Sequence, residues 1–167
     1  MSVELFVTYL EMLDPPKGAA LAAPLQAVTI GRERLGPPTY LELYRSVGGP
    51  WQWDQRLLMP HGELHAVLEK PSTHVYVLRV GGHAAGFCEF ERVGEPDIEL
   101  MNFGLVPDAQ GKKFGPFLLD HALRQVWSQE TRRIWLHTDT NDHPKAIATY
   151  ERAGFRIYMA RMETFPE

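Results

Sequence analysis

The residues best placed for chemistry lie in Asp108–Leu123, DAQGKKFGPFLLDHAL. A small-residue turn and two lysines precede an apolar run that reads as a helix. A helix N-terminus leaves its first N–H groups unpaired and carries partial positive charge, so it holds anions. Pro116 is tolerated only near a helix start, where a missing N–H does little harm. That places the free amides around residues 111–115, beside Gly111 and Gly115. A solvated basic turn ahead of a helix is the plain alternative. A P-loop is excluded: no Ser or Thr follows Lys112-Lys113, and no glycine stands five residues before Gly111.

Two other clusters invite chemistry. His137-Thr138-Asp139-Thr140-Asn141-Asp142-His143 loosely resembles the His-x-His-x-Asp-His run of binuclear metallohydrolases, and zinc does use His and Asp. The second histidine is absent, however, the spacing is longer by one, and Asp142 reads equally well as the N-cap of a helix opening at Pro144. Cys88, the only cysteine, sits in an apolar strand, where a lone cysteine is ordinarily core.

The elements that position these groups follow from patterning. Residues 3–13 read as a strand, with a second around Gln26–Arg32 and DPPKGAALAAP as the connection. GPPTYLELYRSVGG is a helix with Tyr40, Leu43, Tyr44 and Val47 on one stripe, followed by an irregular aromatic segment at Pro50–Asp54. HGELHAVLEK, from His61, is a second helix. Strands 73–80 and 83–93 are joined by Gly81-Gly82, a strong hairpin signal. A strand at Asp97–Leu105, a helix over 112–128, a strand at 133–138, a helix over 144–153 closed by Gly154 and a last strand at 155–162 complete the chain. The expected architecture is one α/β domain over residues 1–167, with a mixed, mostly antiparallel central sheet flanked by helices and an extra N-terminal strand or hairpin.

Bulk properties narrow the function. Net charge is −4 and the sequence pI is about 6.0, which argues against a nucleic-acid partner needing a basic face. No apolar run approaches the roughly 18 residues that span a bilayer. A lone cysteine and the absence of a basic leader point to a cytoplasmic setting.

Gln110-Gly111-Lys112-Lys113-Phe114-Gly115 resembles the Gln/Arg-x-x-Gly-x-Gly/Ala signature of the GCN5-related N-acetyltransferases (GNAT). Ala146-Ile147-Ala148-Thr149-Tyr150-Glu151-Arg152-Ala153-Gly154-Phe155 resembles the A-x-x-x-Y-x-x-x-G-F helix of the same family. The likeness covers roughly residues 28–162. It departs at Lys113, where the signature has glycine, and at His143, where asparagine is frequent. The first helical turn is expected to need no positive φ at Lys113, so glycine there would add only closeness of approach.

The resemblance implies a GNAT-like fold and transfer of acetyl from acetyl-CoA, the only cofactor and with no metal, to a primary amine of a small molecule by direct attack. It implies that Gln110, Gly111, Lys112, Lys113, Phe114, Gly115 and His143 hold the coenzyme, with Phe103 and Leu105 flanking its arm through main-chain bonds. Tyr150 would be the acid for the departing thiolate, and Glu99 the base, with Glu89 and Glu91 in reserve. Trp51, Trp53 and Glu89 would meet the acceptor. Arg56 could hold an acceptor carboxylate, although a surface arginine is the plainer reading. A homodimer is compatible with the family. The competing functions are a non-catalytic acyl-CoA sensor and a metal-dependent hydrolase built on His137–His143.

Overall fold

The computed structural model describes residues 2–24 and 27–166 of the chain. The strands are β1 (Ser2–Met12), β2 (Val28–Arg32), β3 (His74–Val80), β4 (His83–Glu91), β5 (Asp97–Leu105), β6 (Arg133–Asp139) and β7 (Arg156–Pro166). The helices are α1 (Pro37–Gly48), α2 (Gln55–Leu58), α3 (His61–Glu69), α4 (Phe114–Val126) and α5 (Ala146–Ala153). Among the described residues the strands form one sheet in the order β2-β3-β4-β5-β6-β1-β7. All neighbours are antiparallel except β5 and β6. This is the expected mixed α/β class. Gln26, assigned to the second strand from sequence, lies outside the described residues, and that strand begins at Val28.

Each face of the sheet has its own core. The faces of α1 and α3 that bury Tyr40, Tyr44, Val47 and Leu64 pack with Val75, Val77 and Phe87. On the other face Leu118, Leu119, Ala122 and Leu123 of α4 are fully enclosed with Phe90, Ile98 and Ile134. Each such side chain contributes about 1.5–3 kcal/mol by leaving water, an upper estimate.

The N-terminal strand is not half of a hairpin. β1 runs between β6 and β7 and pairs antiparallel with both. The connection after it is pinned to α4: Arg124 donates to the carbonyls of Lys17, Gly18 and Ala19 at 3.2–3.3 Å, and Asp120 accepts the Leu21 N–H at 3.0 Å.

One irregularity shapes the centre of the molecule. Glu89 lies opposite Asn102 while Phe90 lies opposite Leu100, so Met101 is an extra residue in β5. A bulge of this kind bends its strand and reverses the side-chain alternation beyond it. Parallel pairing with β6 is confined to Asp97, Ile98 and Glu99 against Arg133, Ile134 and Trp135. Beyond Glu99 the two strands part, and the gap opens toward the start of α4.

The helices differ from the sequence expectation in three places, and strand ends shift by up to four residues, as where the last strand runs Arg156–Pro166 rather than 155–162. α4 spans 114–126 rather than 112–128, because the two lysines belong to the preceding turn. α5 begins at Ala146, after a turn through Pro144 and Lys145. The segment after Trp53 contains the short helix α2, which has no periodic apolar signal.

Candidate active site

The turn before α4 is built by backbone geometry that sequence reading did not anticipate. Gly111 has φ +75° and Lys113 has φ +67°, both left-handed. Lys113 is the N-cap, outside the helix, and must reverse the chain into it. The expectation that no positive φ is needed at Lys113 is therefore corrected: a residue with a Cβ occupies a conformation that favours glycine. Pro116 falls in the first turn of α4, as expected, which leaves the amides of Phe114 and Gly115 without intrahelical partners.

A cleft of about 590 Å³ opens beside this turn. Gly111, Lys113 and Gly115 line one end, with Lys145 and Arg152 from the α5 side. Phe103, Leu105 and Gln110 line it along β5 and the turn. Lys112 points to solvent and Phe114 is buried in the core, so neither side chain lines the cleft. The donor set suits a diphosphate: free helix-terminal amides with three cationic side chains around them. The floor is shaped by close approach, since a Cβ on Gly104 would lie 2.5 Å from Val47 Cγ1.

A second cleft of about 610 Å³ opens on the α1–α2 side of the parted strands. Trp51, Trp53, Phe103, Asp142 and Tyr150 line both clefts, so the two meet there. Tyr150 is 7% exposed, with its ring 5.7 Å from Phe103 and 5.9 Å from Phe155. Burial pushes its phenol pKa well up, and the Asp142 carboxylate adds to the shift. The group therefore stays protonated at neutral pH.

The aromatic segment is tied across the junction. Trp53 donates its indole N–H to Asp142 Oδ1 at 3.0 Å, and Trp51 meets His143 edge-on with ring centroids 5.0 Å apart. A Cβ on Gly48 would collide with the Trp53 ring, so that glycine seats it. Asp142 does not cap α5. Its Oδ2 accepts from Thr138 Oγ1 and from the Asp139 N–H at 3.2 Å. His143 instead accepts the Lys145 N–H through Nδ1 at 3.0 Å.

Glu99 lines neither cleft. It is held by Arg92 at 2.9 Å, and burial raises its pKa, opposed by Arg92 and by nearby His137. His137 does line the second cleft. The bulge puts Asn102, rather than Met101, on the side where Glu89 lies, and Asn102 Nδ2 donates to Glu89 Oε1 at 3.1 Å.

Glu89 and Arg56 are placed differently from either expectation. Glu89 is 0% exposed and Arg56 only 5%. Arg56 donates to Glu89 and, at 3.0 Å, to Glu91, while the Tyr40 hydroxyl donates to Glu89. Arg56 is thus neither a surface residue nor a free anchor, and the Glu89 carboxylate is fully occupied. Cys88 is buried, and burial pushes its thiol pKa well up, as suits a core residue. Among the described residues no three His, Cys, Asp or Glu side chains gather as a metal site. His137 packs against Tyr9 with tilted rings 5.7 Å apart, whereas His143 lies against Trp51.

Lys145, Arg152 and Asp142 were not singled out as lining residues from sequence. The available signal was weak: Lys145 and Arg152 flank Tyr150 in or beside the second signature, close to the inferred anion site.

A family model described as the acetyltransferase (GNAT) family matches residues 39–155, over two thirds of the chain. The chain belongs to the GNAT acetyltransferases, a family of acyl-transfer enzymes. No curated protein matches it. Among solved structures it is similar to a conserved protein of unknown function from Staphylococcus epidermidis ATCC 12228, with TM-score 0.70 and 15% identity over 99% of this chain and 63% of that one. A GCN5-related N-acetyltransferase from Sphaerobacter thermophilus gives TM-score 0.69 and 16% identity over 97% and 52%. An aminoglycoside acetyltransferase from a soil metagenome, solved with trehalose, gives TM-score 0.62 and 14% identity over 76% and 87%. At these identities the likeness is one of fold. The chain spans 63% and 52% of the length of the first two. No helix of the described residues is long and apolar enough to cross a membrane.

Proposed function

We propose that the protein transfers an acetyl group from acetyl-CoA to a primary amine of a small molecule by direct attack. The observation that carries this reading is the meeting of two clefts at Tyr150, one ending on the α4 amides with Lys113, Lys145 and Arg152 beside them. Bound there, acetyl-CoA supplies a thioester whose carbonyl carbon accepts the nucleophile and whose sulfur leaves.

The chain's own groups divide the work. The amides of residues 111–115 grip the diphosphate, with Lys145 and Arg152 as the cations that neutralise it, which orients the arm along β5 past Phe103 and Leu105. A backbone N–H at the end of β5 donates to the developing oxyanion in this reading. The amine nitrogen, as its neutral form, attacks the carbonyl carbon from the second cleft, and the C–S bond breaks as the C–N bond forms. Tyr150 gives its proton to the departing sulfur and recovers one from solvent, while the nitrogen, cationic once the C–N bond has formed, releases its own surplus proton to solvent and leaves the neutral amide. The proton lost by the ammonium on entry passes toward Glu99, at one remove, by way of His137 and intervening water. Trp51 and Trp53 wall the acceptor, and Glu89 acts behind them by anchoring Arg56 of α2.

The test is Tyr150→Phe. With acetyl-CoA and an accepted amine, kcat should fall about 10²-fold or more, while coenzyme affinity by calorimetry holds. An unchanged kcat removes Tyr150 as the acid. A second reading, a non-catalytic coenzyme sensor, would be favoured by coenzyme binding with no thiol release across an amine panel.

A further inference from the structure

The second cleft has two unlike walls. Asp54 and Asp139 line it with carboxylates, and Asp142 adds negative charge beside them although both its oxygens are held by Trp53, Thr138 and the Asp139 N–H. Asp139 is half-buried, its Oδ1 accepts the Asn141 N–H at 2.7 Å, and no lysine or arginine is among the described residues lining this cleft. A partly desolvated carboxylate facing a cleft without such a partner favours an incoming cation. Burial pushes the Asp139 pKa up, with Asp142 and Asp54 adding to it and the Asn141 N–H and His137 opposing.

The other wall is apolar and comes from an unexpected source. Val3 of β1 and Phe165 of β7 are opposite one another, and both line the cleft with Leu5. Leu58 of α2 lines the same cleft and is 70% exposed. An exposed leucine alone means little; a leucine that shares a cleft with three other apolar side chains marks a surface that gains by being covered. Val3, Leu5 and Phe165 lie outside the matched residues 39–155, whereas Leu58 lies within them.

Resting on the acyl-transfer reading above, we infer that the acceptor is an amphipathic amine, a cationic nitrogen beside an apolar or aromatic body with no adjacent carboxylate. The ammonium docks at Asp139 within the acidic end. The body lies along Val3, Leu5, Leu58 and Phe165. A carboxylate on the same carbon would meet the negative charge of Asp54, Asp139 and Asp142 with no lysine or arginine among the lining residues, and a hydrophilic polyamine would leave the apolar wall uncovered.

Calorimetry on the CoA-saturated protein tests this without requiring turnover. 2-Phenylethylamine should bind at least about tenfold more tightly than phenylalanine or spermidine. Asp139→Asn should weaken it by a similar factor, since asparagine keeps the acceptor for the Asn141 N–H but not the charge. Leu58→Ser, at an exposed position where folding is not at stake, should weaken it several-fold (on the order of threefold). Equal affinity for phenylalanine or spermidine, or 2-phenylethylamine binding untouched by either variant, overturns the inference. Thiol release from acetyl-CoA is read separately. A bound amine with no release counts against acyl transfer and leaves the ligand class of the cleft assigned.

Discussion

Arg56 and Glu89 form an ion pair with both side chains out of water, on the sheet face behind the aromatic wall. Arg56 belongs to α2 and Glu89 to β4, so the pair fixes the short helix that follows Trp53. Tyr40 and Asn102 complete the shell around the carboxylate. A charge buried in this way is tolerated because every acceptor is occupied.

Removing one partner should therefore be severe. Arg56→Met leaves Glu89 buried without its counter-charge and is expected to cost about 3–5 kcal/mol in urea unfolding. Pairing that change with Glu89→Gln, which Tyr40 and Asn102 can still hydrogen-bond, should recover more than half of the loss. A single variant as stable as the parent would show that the pair does not hold α2.

Lys113 stands in a left-handed conformation where the family signature has glycine. Such a residue carries a cost of about 1–2 kcal/mol, offset in part by the unfolded-state entropy that glycine adds, about 0.4–1 kcal/mol. Lys113→Gly should thus raise Tm slightly and keep coenzyme affinity within about threefold, since the amide remains. A large loss of affinity by calorimetry would show that the ammonium anchors a phosphate.

Glu99 must be ionised to take a proton. Its pKa is raised by burial, so kcat/KM should fall as pH drops through a value above the ordinary glutamate figure of about 4.3. Glu99→Gln should remove that low-pH limb and lower kcat by about 10²-fold. A profile identical to the parent's would place proton removal elsewhere.

Much of the scaffold is readable from local pattern. Gly81 and Gly82 both take positive φ in the β3–β4 hairpin, as their pairing demanded, and Tyr40, Leu43, Tyr44 and Val47 form the buried stripe of α1. Both signatures fall at helices beside one cleft. What was not legible depends on long-range relations. The extra residue at Met101 arises from pairing with β4, and it decides which residues share a face with Glu89. Arg56 and Glu89 are 33 residues apart, and nothing local marks either as buried. The insertion of β1 between β6 and β7 is likewise a matter of sheet order, to which strand propensity is blind.

The most direct test of the central claim is a crystal structure of the protein with CoA. The diphosphate is predicted to accept from the amides at the start of α4 with Lys113, Lys145 and Arg152 around it, and the sulfur to lie beside the Tyr150 hydroxyl. A coenzyme lodged in another part of the molecule, or a sulfur remote from Tyr150, would contradict the account.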